Sequence, residues 1–234
     1  MLSVTSATTG DHPTAQTPAA PAAAPTATPV AGDVVRVVIL ASGAGTLADA
    51  IMRGAAAPTP GTRYEVVGLV SDTQCAALDK AAARGVPTAQ VPLSAGADRA
   101  AWNVALASAV GEYHPDLVVS AGFMRILGEG FLAAFAPRII NTHPALLPAF
   151  PGAHAVRDAL HYGVQVTGST VHVVDGGVDT GPIIAQRPVE VLPGDTEEVL
   201  HERIKVVERA LIVSVLRNDP LAAIAAATRR RAPQ

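Results

Sequence analysis

Apolar residues in this chain gather into short, nearly unbroken runs separated by polar, glycine-rich turns. Val34-Val35-Arg36-Val37-Val38-Ile39-Leu40 comes first, and so little alternation is what a strand buried on both faces requires. Tyr64 to Val70, Val86 to Val91, Asp116 to Ala121 and Arg138 to Asn141 read as further strands. Between them, Gln74 to Arg84 is alanine-rich and helical, closed by Gly85, and Asp98 caps a helix running to about Tyr113. Another helix is expected near Ala153 to Tyr162. Strands alternating with helices predict an α/β fold. The alternation then stops. Gly168 to Val174 and Pro182 to Val191 both read as strands, and Asp175 to Gly181 is too short for a crossover helix, so these two should pair antiparallel. Asp195 opens the last helix, with Glu198 three residues on in a capping-box-like arrangement. Leu200, Ile204, Val207, Leu211 and Val215 form its apolar stripe. The expected architecture is Rossmann-like α/β: a mostly parallel sheet flanked by helices, with antiparallel strands toward the C-terminus. No internal repeat is present.

The chain has 234 residues, 49% hydrophobic and 16% charged, enough for one domain with a full core. A formal net charge of −3 gives no electrostatic case for nucleic acid or an anionic membrane, and 3% aromatics leave no stacking platform for bases. Cys75 stands alone, which excludes an intrachain disulfide and a thiolate metal site and fits a reducing cytoplasm. No apolar run approaches the ~20 residues of a membrane span. Residues 1–32 differ: Ala, Pro and Thr dominate, with almost no large apolar residue before Val30. Such a segment cannot offset its ordering entropy, and it lacks the charged start and apolar stretch of a secretory signal. It is expected to be a disordered extension, or the product of a start site placed too early, ahead of a single domain over residues 33–234.

Candidate chemistry begins in Arg138 to Pro148. Residues i and i+2 of a strand share a face, so Asn141 and His143 stand side by side, with Thr142 turned away. Pro144 lacks a backbone donor and ends the ladder, which puts the pair at the strand's carboxyl end, where open parallel sheets bind ligands. An amide beside an imidazole supplies a donor and a proton carrier for a tetrahedral oxyanion. The plainer alternative is a strand end with a buried, satisfied histidine. After the first strand, Ala41 to Ala50 turns into a helix through Gly43 and Gly45. Free N–H groups backed by the helix dipole make an anion site there, best suited to one phosphate, with Thr46 adding a hydroxyl. A dinucleotide fingerprint needs a third glycine where Ala48 stands, and the P-loop lysine is missing. A tight turn without a ligand stays open.

Gly122 to Leu127 can wall a flat heterocycle and offer backbone groups to its rim, or be plain core and loop. Asp175 to Pro182 carries two carboxylates among glycines. Asp179 is placed to face His143 and favour the imidazolium, against the alternative of a solvated turn residue. Lys205 and Glu208 share a face of the last helix, as a surface ion pair or as contacts to a phosphate and sugar hydroxyls. His172 lies in a strand whose alternation could bring it near the cleft, and His154 could cap or line the helix after Pro151-Gly152. His114 and His201 read as surface residues. No His, Asp and Glu group has metal-site spacing, and there is no Gly-x-Ser-x-Gly elbow.

Ser42-Gly43-Ala44-Gly45-Thr46, Gly122 to Leu127, Asn141 to Pro148 and Asp179-Thr180-Gly181-Pro182 occur in that order. Together they resemble the phosphoribosylglycinamide formyltransferase family, folate-dependent enzymes of purine biosynthesis, over about residues 34 to 217. The Asn-x-His-Pro and Asp-x-Gly-Pro elements are shared by the wider formyltransferase group, and the first two stretches narrow the choice. The resemblance implies formyl transfer from 10-formyltetrahydrofolate, as co-substrate, to the amine of 5-phosphoribosylglycinamide in de novo purine biosynthesis, with no tightly bound cofactor and no metal. It implies that Asn141 and His143 are catalytic and that Asp179 tunes His143. Gly45, Thr46 and Leu47 should hold the nucleotide phosphate, and Lys205, Val206, Val207 and Glu208 should meet the nucleotide. Arg99, Met124, Arg125, Ile126 and Leu127 should contact folate, the pteridine through the main chain of Met124 to Leu127. Asn141 and the loop Asp175, Gly176, Gly177, Val178 and Asp179 complete the folate side.

There are two departures from the family pattern. Leu47 stands where the family often has Asn, so contact there must be through the main chain. Lys205 stands where a neutral residue is common, and adds a cation. The implied partners are small molecules, with neither nucleic acid nor membrane, and a homodimer is left open. Three rivals differ in expected features. Methionyl-tRNA formyltransferases carry an added C-terminal domain, whereas this chain ends soon after its last predicted helix. Formyltetrahydrofolate deformylases carry an N-terminal regulatory domain, whereas residues 1–32 are low complexity. A non-catalytic Rossmann-type nucleotide-binding module explains the first loop but not Asn141, His143 and Asp179.

Overall fold

Strands β1 (Val35–Leu40), β2 (Tyr64–Ser71), β3 (Thr88–Gln90), β4 (Leu117–Ser120), β5 (Ile139–His143), β6 (Val166–Val173) and β7 (Ile183–Glu190) form one sheet in the order β3-β2-β1-β4-β5-β6-β7. This computed structural model describes residues 34–57 and 63–231, and the extension over 1–32 lies outside them. Pairs from β3 across to β5 are parallel. The β5–β6 and β6–β7 pairs are antiparallel, the second as the short Asp175–Gly181 connection requires. From β1 the chain winds outward through β2 and β3, then returns to the other side of β1 with β4. The crevice between β1 and β4 is therefore the topological switch point. Ser120 is in register with both Leu40 and Asn141, so β1 and β4 end together at this edge and β5 runs two residues beyond them.

The apolar runs lack polar alternation because both faces are covered. Val37, Ile39, Val119 and Ile140 pack under α1 (Thr46–Ala56), α2 (Ala76–Ala82), α6 (Glu197–Arg217) and α7 (Pro220–Arg231) through Leu47, Ile51, Ala77, Leu211, Ile212 and Ile224. Val38, Leu40, Val118 and Ile139 pack on the opposite face against α3 (Arg99–Gly111) and α4 (Glu129–Phe135), where Trp102, Leu106, Phe131 and Phe135 are buried. Each such side chain contributes roughly 1.5–3 kcal/mol on full burial. Helix α5 (Ala155–Tyr162) completes the described set. Among the described residues no single helix is long and apolar enough to cross a membrane.

Three local expectations need correction. Thr196, not Asp195, caps α6, its hydroxyl accepting from the Val199 N–H. Asp195 is engaged instead by Arg203 at 2.8 Å, which holds its carboxyl down at about 2. Helix α4 has only seven residues, too few to show a period, and α7 follows the helix expected to be last. Strand β5 also runs two residues further than expected, to His143 itself.

Candidate active site

At the end of β5, His143 is 3% exposed, with Nε2 2.7 Å from the Phe150 carbonyl and Nδ1 3.2 Å from Asp179 Oδ2. A carbonyl and a carboxylate only accept hydrogen bonds, so both ring nitrogens face partners suited to N–H donors. Asp179 adopts a left-handed φ of 55°, and its Oδ2 also accepts from the Gly152 N–H at 2.8 Å. The loop that carries it leaves the sheet beside Ile139, where the Val174 N–H bonds the Ile139 carbonyl, and folds back along β5 to reach His143. Gly181 makes that course feasible: a Cβ there would run into the Val173 carbonyl.

His172 is a fourth member whose role was not read from the sequence. It lies opposite Asn141 in the β5–β6 ladder, beside a register shift at Val171/His172. Bulges of this kind re-aim side chains next to active sites. Its Nδ1 is 3.0 Å from the Val173 carbonyl, which must accept, so the proton is on Nδ1. Nε2 is then free to accept from the Asn141 amide nitrogen at 3.3 Å. Burial lowers the His172 pKa, with help from His143 and against the pull of Asp179 and the Val173 carbonyl. A neutral His172 thus fixes the Asn141 amide with one N–H committed and the other available. The strand alternation was the signal that placed His172 near the cleft.

The turn after β1 leads straight into a helix N-terminus. Gly45 is the N-cap of α1 with φ 67°, followed by an exposed Thr46. The first N–H groups of a helix have no intrahelical acceptor. Leu47 points its side chain into the core, so only its main chain can meet a ligand. Lys80 donates to the Ala44 carbonyl at 2.6 Å and adds a cation beside the turn. On α6, Lys205 pairs with Glu202 at 2.7 Å rather than with Glu208. Val206 is exposed, and Val207 packs against Leu200 and Ile204. Burial raises the Glu208 pKa, partly countered by a hydrogen bond with Thr142 and by the charges of Arg209, Lys205 and His143. The two faces of β5 are therefore used differently: Asn141 and His143 address one side, Thr142 meets Glu208 on the other.

The loop after β4 exposes Met124 (76%) and Ile126 (70%), while Leu127 is buried in the core and offers only its main chain. Arg99 donates to the Ile126 carbonyl at 3.0 Å and joins Met124, Arg125 and Ile126 around a cavity of about 710 Å³. In the loop between β6 and β7, Val178, Asp179 and Thr180 line a second cavity of about 540 Å³, next to Pro148 and Ile183. Asp175 serves the loop itself. Burial opposes its ionisation, but the Thr180 hydroxyl, the Gly177 N–H and Arg231 hold its pKa below the usual value. Gly176 has open space beside it.

Comparison with known proteins agrees with this geometry. A formyl transferase family profile matches residues 35–216. The phosphoribosylglycinamide formyltransferase of Mycobacterium tuberculosis (strain CDC 1551 / Oshkosh) is 56% identical over 181 residues, covering 77% of this chain and 83% of that one. Among solved structures, glycinamide ribonucleotide transformylase 1 from Symbiobacterium toebii aligns with a TM-score of 0.77 at 41% identity, over 83% of this chain and 90% of that one. Phosphoribosylglycinamide formyltransferase from Brucella melitensis aligns with a TM-score of 0.74 at 40% identity, over 79% and 95%. The family match starts with β1 and ends in the last turn of α6, taking in every strand of the sheet, and the chain belongs to the formyl transferase family.

Proposed function

We infer that this protein transfers the formyl group of 10-formyltetrahydrofolate to the amine of 5-phosphoribosylglycinamide, a step of de novo purine biosynthesis. One observation carries the reading: an Asn141 amide and an Asp179-paired His143 on one face of β5, at the switch-point edge. In this reading the phosphate rests on the N–H groups of Gly45, Thr46 and Leu47. Glu208 takes the sugar hydroxyls, and Lys205 adds charge. The folate ring lies against the main chain of Met124 to Leu127, and Arg99 meets its carboxylate tail. A cytoplasmic enzyme acting on free small molecules is part of the same reading.

The chemistry then follows. The neutral amine attacks the formyl carbon, and the carbonyl electrons move onto oxygen. The free N–H of Asn141 and the imidazolium of His143 stabilise that oxyanion. Asp179 balances the imidazolium charge throughout. As the tetrahedral intermediate collapses, the C–N10 bond breaks and N10 takes a proton. The attacking nitrogen gives up one, so protons balance.

The test is formyl transfer with purified protein, following the absorbance change of the released folate. Release dependent on 5-phosphoribosylglycinamide is expected. Release at the same rate without any amine would make the protein a hydrolase of the same cofactor, and the reading would fail.

A further inference from the structure

Asp72 lies one residue past β2, and its side chain is 2% exposed. Both carboxylate oxygens are engaged. Oδ1 accepts from the Ser42 hydroxyl at 2.5 Å, and Oδ2 accepts from Arg125 Nε at 2.7 Å. Because the Ser42 proton is committed to Asp72, its oxygen lone pairs are free, and one accepts from the Met124 N–H at 2.9 Å. The Ser42 N–H donates to the Gly122 carbonyl at 3.1 Å. One buried carboxylate thus joins the ends of β1 and β2 to the loop after β4, across the switch-point crevice. Ser42 directly precedes the Gly43–Gly45 turn, and Met124 and Arg125 open the folate-side stretch.

We propose that Asp72 is a positioning residue for the formyl donor: by holding Ser42 and Arg125 together, it sets the main-chain groups of Met124 to Leu127 against the folate ring. This rests on reading that stretch as the folate contact. Asp72 itself has no free oxygen for substrate. The link is charged as well as hydrogen-bonded, and a buried carboxylate loses much when its cation partner is lost. Buried Leu127 and the Arg99 bond to Ile126 hold the far end of the loop, so the Asp72 anchor governs its near end at Met124 and Arg125, where Met124 is exposed.

The substitution that isolates the anchor is Asp72→Asn in the full chain. The amide oxygen can still accept from Ser42, but the Arg125 bond loses its charge. Affinity for a stable folate analogue, measured by titration calorimetry, should fall about 10- to 100-fold, the loss expected for one charge-assisted hydrogen bond. Affinity for the nucleotide substrate should stay within about twofold, and KM for folate should rise more than kcat falls. Adding Asp72→Asn to Arg125→Ala should change folate affinity by less than about twofold, because the route through Arg125 is already gone. Unchanged folate affinity in Asp72→Asn overturns the proposal. So does an equal loss of both ligands, and so does a full further loss in the Arg125→Ala background. If Asp72→Asn does not fold, Arg125→Ala alone carries the test from the exposed side, and unchanged folate affinity there overturns the proposal equally. A wild-type protein that binds nucleotide but no folate analogue would instead remove the folate reading of the loop.

Discussion

Oδ2 of Asp179 lies 3.2 Å from Nδ1 of His143, and the Gly152 N–H holds that oxygen in place at 2.8 Å. Asp179→Asn keeps the shape and removes the charge that balances the imidazolium. Turnover at neutral pH should drop by roughly 10²–10⁴-fold, the usual contribution of a positioned acid–base group. Affinities for the nucleotide and for a folate analogue should stay within about twofold. kcat at saturating substrates decides it. Near-wild-type kcat would leave Asp179 as a loop residue only.

Asn141→Ala removes the proposed oxyanion donor and should cost on the order of 10²–10³-fold in kcat. His172→Ala should cost less, because it only frees the amide that His172 orients. Their double variant should be no slower than Asn141→Ala, and additive losses would show that His172 acts elsewhere. His172 also carries a stability signature. Its folded pKa is depressed below 6.5, so its contribution is present above that value and is lost as pH falls through the lowered folded pKa. Acid melts of wild type should steepen across that window, and those of His172→Ala should lack this component.

Glu208→Gln should separate stability from binding. The folded pKa of Glu208 is raised above 4.5 by burial, so the fold disfavours its charge. The penalty is absent below the unfolded value and fully present above the folded one. The Gln variant should therefore melt higher than wild type near neutral pH and show no such ionisation gain in acid. Nucleotide affinity should fall in the same variant if Glu208 meets the sugar. A higher melting temperature with unchanged nucleotide affinity would remove Glu208 from the site.

Gly45→Ala tests the anion turn. The φ of 67° disfavours any Cβ by roughly 1–2 kcal/mol, and this one would lie 2.7 Å from the Ala77 Cα. Nucleotide binding and melting temperature should both drop, with folate binding within about twofold. Ala77→Gly in the same chain should recover part of the loss. Equal weakening of both ligands would make the turn a purely structural element.

Local geometry made part of this legible. The period of two put Asn141 and His143 on one face, and the length of the Asp175–Gly181 connection forced β6 and β7 antiparallel. Asp72 was invisible because its partners lie 30 and 53 residues away, while an aspartate after a strand reads as an ordinary turn residue. Adjacent Asp195 and Thr196 can each cap a helix, and the choice was settled by Arg203, in the second turn of α6. Lys205 had two glutamates within reach along its helix. It took Glu202 on the surface, because Glu208 turns inward to Thr142. Helix α7 has five alanines among its 12 residues and only Leu221 and Ile224 as large apolar positions, too faint a stripe to read.

The bond from Met124 to Ser42 closes a separation of 82 residues. Contacts so far apart along a chain carry the loop-closure entropy that slows folding, whereas the β6–β7 hairpin and the helices form from near neighbours. A refolding chain can thus regain much of its circular-dichroism signal while the crevice between β1 and β4 is still open. Enzyme activity should return as the last and slowest signal, marking when the centre of the sheet has closed.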